Sequence, residues 1–277
     1  MDLNIVEMRE NFKENHRTFT TSDGITLFLR EWTPTEDQSK ETAVLILHGI
    51  TAHSGPYGFL GLQLASMGFH TFGLDLRGHG LSDGNRGDYP SRERLVLDLC
   101  EALAYIKKTH PKVVILGHSL GVLQSMLIMK NCLGQIHGAV LLSGARAMKP
   151  STSLSFSFSQ KLKIVLSSIL APGKPAVSYY REGMTGLDDP LFNFRYTLRF
   201  IRLVDSKSLQ FPGDLGIPIF VGVGDQDELF SIESVRELYD EIPAKEKEFY
   251  VQPGAKHAVF PEGSFKPLMS WLDNRFP

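Results

Sequence analysis

Residues 117–121 read Gly-His-Ser-Leu-Gly and lie between two segments with opposite structural preferences. Residues 112–116 before them are mostly β-branched, as in a buried strand, and residues 122–130 after them form an apolar run without glycine or proline, as in a helix. A strand, Gly-x-Ser-x-Gly and a helix predict a nucleophile elbow, a turn so sharp that bulky neighbours would collide. Such a turn lifts the Ser119 hydroxyl above the sheet and aims backbone N–H groups at the same point. The pentapeptide alone also fits a serine that caps a helix, and its context favours the elbow.

The composition limits the protein class. The chain has 277 residues, 42% of them apolar, which suffices for one large α/β domain with an insertion. A net charge of -2 predicts no nucleic-acid partner and no attraction to an acidic surface. The two cysteines, Cys100 and Cys132, are far apart in helix-like segments, so we expect small buried side chains rather than a disulfide or a metal site.

The N-terminal residues contain no basic cap followed by an apolar run, as a signal peptide would. No segment is long and uncharged enough to span a membrane. These observations lead us to expect a cytoplasmic protein, and the sequence does not indicate an oligomeric state.

Strand and helix patterns alternate along most of the chain. After a predicted hairpin at residues 17–21 and 25–32, strands are predicted at residues 42–47, 69–74, 113–116, 139–143, 217–223 and 248–251. Helices are predicted at residues 58–67, 91–109, 231–240 and 265–276. This alternation predicts an α/β fold with a mostly parallel sheet of about eight strands and helices on both faces.

One segment interrupts this alternation. We expect residues 1–145 and 214–277 to form the core and residues 146–213 to form an inserted helical cap over the carboxyl edge of the sheet, where ligands bind in such folds. Apolar residues recur at helical spacing near its middle, and residues 191–204 predict a second helix. The alternative is an excursion of packed helices with no part in binding.

A serine hydroxyl needs a base that removes its proton. His257 follows the last predicted strand and therefore lies at the same sheet edge as Ser119. His118, beside the serine, is expected either to pack in the interior or to support the reacting groups without touching the substrate. A carboxylate must orient that base, and the turn after residue 223 offers Asp227, our choice, and Asp225. The order Ser119, Asp227, His257 is that of the α/β-hydrolase triad.

The negative charge that develops during attack on an ester needs two hydrogen-bond donors. We expect the backbone N–H of Leu120, directly after the serine, and that of Ile50, in the loop after an earlier strand. This chemistry requires no metal and no organic cofactor.

At these motifs the chain resembles the monoglyceride lipase and lysophospholipase branch of the α/β-hydrolases, which also contains serine aminopeptidase-like hydrolases. The matching parts are residues 48–54 with Tyr57, residues 75–84 and the elbow. Asp227 and His257 fall at the family's acid and base positions, and residues 189–191 resemble a short motif of the cap. The resemblance runs from about residue 17 to the C-terminus and implies an α/β-hydrolase fold. One departure concerns the elbow, where Leu120 and Val122 replace the methionine and second glycine usual in monoglyceride lipases.

The resemblance implies hydrolysis of carboxylic esters through an acyl-enzyme, with monoacylglycerols or other medium- and long-chain acyl monoesters as the expected small-molecule or lipid substrates. Four apolar cap residues are candidates for an acyl-binding wall: Leu162, Val165, Leu166 and Ile169. The same residues could instead contact a membrane surface transiently, or only pack the cap on the core.

Three other functions stay open from the sequence. A hydroxycinnamoyl esterase would use the same triad. A peptidase that removes N-terminal residues would need an acidic group for the free amine, such as Glu182, Asp188 or Asp189. A non-enzymatic ligand receptor could also be built on this fold.

Overall fold

An eight-stranded sheet forms the centre of the computed structural model, which describes residues 3–152, 156–180, 184–204 and 209–277. Its strands are β1 His16–Thr20, β2 Thr26–Trp32, β3 Thr42–Leu47, β4 His70–Asp75, β5 Lys112–His118, β6 Gly138–Leu142, β9 Ile219–Gly224 and β10 Lys247–Gln252. Strands β7 Val177–Ser178 and β8 Arg195–Tyr196 form a separate pair. They lie in the order β1-β2-β4-β3-β5-β6-β9-β10, and only the pairs formed by β2 are antiparallel. The predicted mostly parallel sheet is confirmed, and β5, which leads to the elbow, lies near its middle.

Helices cover both faces of this sheet. They are α1 Ile5–Glu10, α2 Gly58–Ser66, α3 Arg92–Ile106, α4 Leu120–Asn131, α5 Phe158–Leu170, α6 Leu198–Leu203, α7 Ile232–Glu241 and α8 Lys266–Arg275. None of those in the described ranges has the length and apolarity to cross a bilayer. Helix α1 was not predicted from the sequence.

The two faces bury alternate residues of the same strand. In β3, Leu45 packs in the core layer that includes α3, α4 and α7, whereas Val44 and Ile46 pack in the layer that includes α2 and α8. All of β3 is buried, as expected for a strand covered on both sides. The side-chain period of two therefore divides one apolar run between two cores.

The insertion, which we define as residues 146–213, lies between β6 and β9. Its described part contains α5, α6 and a short antiparallel pair, β7 Val177–Ser178 and β8 Arg195–Tyr196. The second helix is shorter than predicted, because its first half is extended: the Asn193 N–H donates to Thr51 O at 2.9 Å instead of to a helical turn. Thr197 then begins α6 by accepting a hydrogen bond from the Phe200 N–H at 3.2 Å.

The two cysteines were expected to be unpaired, and this expectation was wrong. Cys100 on α3 and Cys132 at the end of α4 form a disulfide, with their Cα atoms 6.1 Å apart. The two helices pack on the same face of the sheet. A separation of 32 residues gave no sign of this contact, because it depends on how the helices pack.

Candidate active site

Ser119 lies in the sharp turn between β5 and α4. Its φ of +57° is in a region that non-glycine residues rarely adopt. Glycine is required on both sides, since a Cβ at Gly117 would lie 2.2 Å from Gly121 O, and a Cβ at Gly121 would lie 2.1 Å from Leu47 O. The turn therefore has the local geometry that the Gly-x-Ser-x-Gly pattern predicts.

Three side chains from separate strand ends meet at this turn. Ser119 Oγ lies 2.9 Å from His257 Nε2, and His257 Nδ1 lies 3.0 Å from Asp227 Oδ2. Because an ionised carboxylate can only accept, His257 Nδ1 carries the proton and Nε2 is left to accept from the serine hydroxyl. Asp225, the alternative acid, is exposed and accepts from the Gly254 N–H at 2.7 Å. The structure brings Asp227 rather than Asp225 to His257.

Asp227 is held in its ionised form. Its other carboxylate oxygen accepts from the backbone N–H groups of Leu229 and Phe230, at 2.8 and 2.9 Å. Burial raises the pKa of this carboxyl, but His257 and the two N–H groups outweigh burial, and the net effect lowers the pKa below its ordinary value. The carboxylate can thus fix the orientation of the imidazole and stabilise its charged form.

Two backbone donors remain free beside the serine. Within the described ranges, no protein group accepts a hydrogen bond from the N–H of Ile50 or of Leu120. Leu120 begins α4, so its N–H has no partner inside the helix. These are the two donors predicted from the sequence to stabilise the developing negative charge, that is, to form an oxyanion hole.

His118 connects the loop after β3 to the loop that carries His257; the sequence left open a supporting role for this residue but did not predict its partners. The Gly49 N–H donates to Tyr57 Oη at 3.0 Å, and this hydroxyl lies 2.8 Å from His118 Nδ1. His118 Nε2 lies 2.9 Å from His257 O, a carbonyl that can only accept. Nε2 therefore carries the proton and Nδ1 accepts from Tyr57. Burial lowers the pKa of His118 to about 3, so the ring is neutral.

A cavity of about 520 Å³ opens onto Ser119. Much of its wall is apolar or aromatic, and the insertion contributes Tyr179, Met184, Thr185 and Phe192. Polar side chains, among them Gln226, Glu228 and Lys256, lie in the loops that carry the acid and the base. Its volume is in the usual range of ligand sites, roughly 300–1,000 Å³.

Comparison with known proteins agrees with this geometry. The serine aminopeptidase S33 family matches residues 38–264, most of the chain. The chain belongs to this family. It is 26% identical to the monoacylglycerol lipase of Mycolicibacterium smegmatis over 93% of this chain and 96% of that protein. It is 25% identical to human monoglyceride lipase over 92% and 89%, respectively. The crystal structure of Paleococcus ferrophilus monoacylglycerol lipase shares the fold, with a TM-score of 0.69, 24% identity, and coverage of 90% of this chain and 99% of that one.

The S33 family and these full-length relatives identify the chain as a serine hydrolase of carboxylic esters. They do not favour the hydroxycinnamoyl esterase, peptidase or receptor alternatives. Of the acidic residues considered for a peptidase, Asp188 and Asp189 do not line the cavity. Glu182 lies outside the described residues. Asp189 instead lies 3.0 Å from His53 Nε2 and accepts from the Leu191 N–H.

The four α5 residues predicted as an acyl-binding wall do not lie at the cavity. Leu162, Val165, Leu166 and Ile169 are exposed and do not line the cavity that contains Ser119. The physical reason is the rotation of α5, whose single buried residue is Ile164. The apolar row lies on the opposite side of the helix and faces away from the core.

Proposed function

We propose that this serine hydrolase cleaves monoacylglycerols or related medium- and long-chain acyl monoesters, with Ser119 as nucleophile, His257 as general base and Asp227 as the group that orients the base. The observation that carries the proposal is the hydrogen-bonded chain from Ser119 Oγ through His257 to Asp227, at a cavity with a largely apolar wall. His257 Nε2 takes the hydroxyl proton as Oγ attacks the ester carbonyl.

The remaining steps use groups already present around the serine. The N–H groups of Ile50 and Leu120 donate to the carbonyl oxygen as it becomes negative. The protonated His257 then gives its proton to the departing alcohol, which leaves an acyl-Ser119 ester. His257 then takes a proton from a water molecule as this water attacks the acyl-Ser119 ester. The proton returns to Ser119 Oγ as the fatty acid leaves. Neither a metal nor an organic cofactor takes part.

The cavity supports an acyl substrate with a small polar alcohol. Tyr179, Met184 and Phe192 supply apolar surface for the acyl chain. Gln226 and Glu228 line the same cavity. The Gln226 amide can donate to or accept from alcohol hydroxyls, and the Glu228 carboxylate can accept from them. The insertion, residues 146–213, would thus act as a cap that completes the acyl site.

The exposed row on α5 supports contact with the surface from which such a substrate comes. We call this row the apolar face; it comprises Phe158, Leu162, Val165, Leu166, Ile169 and Leu170. Phe158 and Leu170, at its two ends, are 83% and 82% exposed. An amphipathic helix with apolar residues on its open side is the form that lies in a membrane interface. We therefore propose transient contact with a lipid surface through this face.

The test is hydrolysis of p-nitrophenyl esters from acetate to palmitate, and of monoacylglycerols, by the wild type and by Ser119→Ala. We expect turnover with an optimum at medium or long acyl chains, and a loss of about 10⁴-fold or more in the variant. Circular dichroism checks that the variant is folded. A wild type that cleaves aminoacyl amides but no ester, or a variant that keeps its activity, would refute the proposal.

A further inference from the structure

A second cavity, separate from the one that contains Ser119, lies against α5 in the insertion. Its volume is about 450 Å³. Three basic side chains line it, Lys163, Lys174 and Arg195, and no described residue of its wall carries a carboxylate. Ser167 and Ser178 add hydroxyl groups. We call this the basic cavity.

The three cations are available to a ligand. Within the described ranges, the side-chain ammonium groups of Lys163 and Lys174 form no hydrogen bond and no ion pair. Arg195 donates to Pro175 O at 3.3 Å, a neutral acceptor that leaves its charge unbalanced. Like charges around one cavity repel each other, and an anion between them would remove that repulsion.

Positive charge is concentrated in the insertion as a whole, not only around the basic cavity. The insertion contains ten lysines and arginines against four aspartates and glutamates, a net charge of +6. The rest of the chain contains 19 against 27, a net charge of -8. The near-zero total therefore hides a strong separation, which would turn the insertion towards a negatively charged surface. Our expectation from composition, that an acidic surface would not attract the protein, considered only the total.

The basic cavity and the apolar face share one helix. Lys163 and Ser167 lie on the side of α5 that lines the cavity, and Leu162 and Leu166 lie on the exposed side. A bilayer offers both complementary partners at adjacent depths, acyl chains and headgroup phosphates.

We propose that the basic cavity binds the phosphate headgroup of an anionic phospholipid while the apolar face lies in the same bilayer. This inference rests on the proposed lipid-surface contact, to which it adds a headgroup site and a preference for anionic lipid. Lys163, Lys174 and Arg195 would form charge-assisted hydrogen bonds with the phosphate oxygens.

The experiment is vesicle sedimentation with phosphatidylcholine alone and with about one third phosphatidylglycerol. The variant is Lys163→Gln with Lys174→Gln and Arg195→Gln. Each basic residue near such a surface contributes about fivefold in affinity, so we expect the variant to bind anionic vesicles about 100-fold more weakly and neutral vesicles as before. The difference should shrink as salt is raised.

A matched control removes three positive charges from exposed positions outside the insertion: Lys13→Gln, Lys130→Gln and Lys245→Gln. We expect it to lose less than about fivefold in binding to anionic vesicles. Equal losses in the two triple variants would show a general charge effect and overturn the headgroup site. Equal wild-type binding to both vesicle types would also overturn it, while the apolar-face contact would stand.

Two further measurements separate this inference from the catalytic proposal. Hydrolysis of soluble p-nitrophenyl butyrate should be unchanged in the basic-cavity variant, and Ser119→Ala should bind anionic vesicles like the wild type. Binding of free glycerol 3-phosphate with a Kd below about 1 mM, with vesicle binding unaffected in the variant, would assign the cavity to a soluble phosphate and overturn the proposal.

Discussion

We predict that His118 makes the free energy of unfolding of this protein sensitive to mild acid. The buried ring accepts from Tyr57 Oη through Nδ1 and donates to His257 O through Nε2, and burial lowers its pKa from 6.5 to about 3. In the unfolded chain the ring takes up a proton as pH falls below about 6.5, whereas in the folded protein it stays neutral. The unfolded state therefore binds more protons between these two values, and the free energy of unfolding decreases as pH falls through that range.

The size of this effect follows from the pKa difference. At pH 5, about 1.5 units below the unfolded pKa, the loss is about 2 kcal/mol, since each unit corresponds to about 1.4 kcal/mol. His48, whose pKa burial lowers to about 4, adds a similar loss. Carboxylates contribute little at pH 5. The pKa of Glu31 is about 2 in the folded protein and 4.5 in the unfolded chain, so this group is mostly ionised in both states at pH 5.

The assay is urea unfolding of the wild type and of His118→Gln at pH 8 and pH 5. The glutamine amide can donate and accept but does not titrate, so we expect the decrease in unfolding free energy between the two pH values to be about 2 kcal/mol smaller in the variant. The pH 8 measurement gives the cost of the substitution itself. An equal decrease in both proteins would refute the assignment of a buried, neutral His118.

Three more predictions follow from the site and the fold. Asp227→Asn should lower kcat/KM for a p-nitrophenyl ester by about 10⁴-fold, and Asp225→Asn, the matched control, should leave it within a few fold; similar losses would contradict the assignment of the acid. Gly121→Ala places a Cβ 2.1 Å from a carbonyl oxygen of β3, so soluble expression and activity should fall together, and a fully active variant would contradict the elbow geometry. Replacing Cys100 and Cys132 by serine should lower the free energy of unfolding by up to about 4 kcal/mol in urea titrations, from chain entropy over 32 residues, and unchanged stability would contradict the crosslink.

The elbow and the residues around it could be predicted because their signals are local. The short contacts of Gly117 and Gly121 follow from five consecutive residues between a strand and a helix. Asp227 and His257 lie at the carboxyl ends of β9 and β10, and parallel strands bring such ends to one edge. The choice between Asp227 and Asp225 depended on the family position, because both occupy the same turn.

Features set by tertiary contacts could not be predicted in this way. The Cys100–Cys132 disulfide depends on how α3 lies beside α4, which neither helix encodes. Residues 191–197 have a helical apolar pattern, but Asn193 bonds to the loop after β3, and β8 pairs with β7. Here contacts with the core outweigh local propensity.

The insertion shows why an amphipathic pattern does not identify a binding wall. The spacing of Leu162, Val165, Leu166 and Ile169 predicts a helix with one apolar side, and α5 forms there. That pattern is the same whether the apolar side meets a protein core, a ligand or a lipid interface, because burial in each case favours the same residues. In the structure, Ile164 is the buried residue of α5, and the opposite side of the helix is therefore open. Since α5 turns its apolar row outward, the acyl site that we propose uses residues after β7, such as Met184 and Phe192, and α5 is left free for the proposed lipid surface.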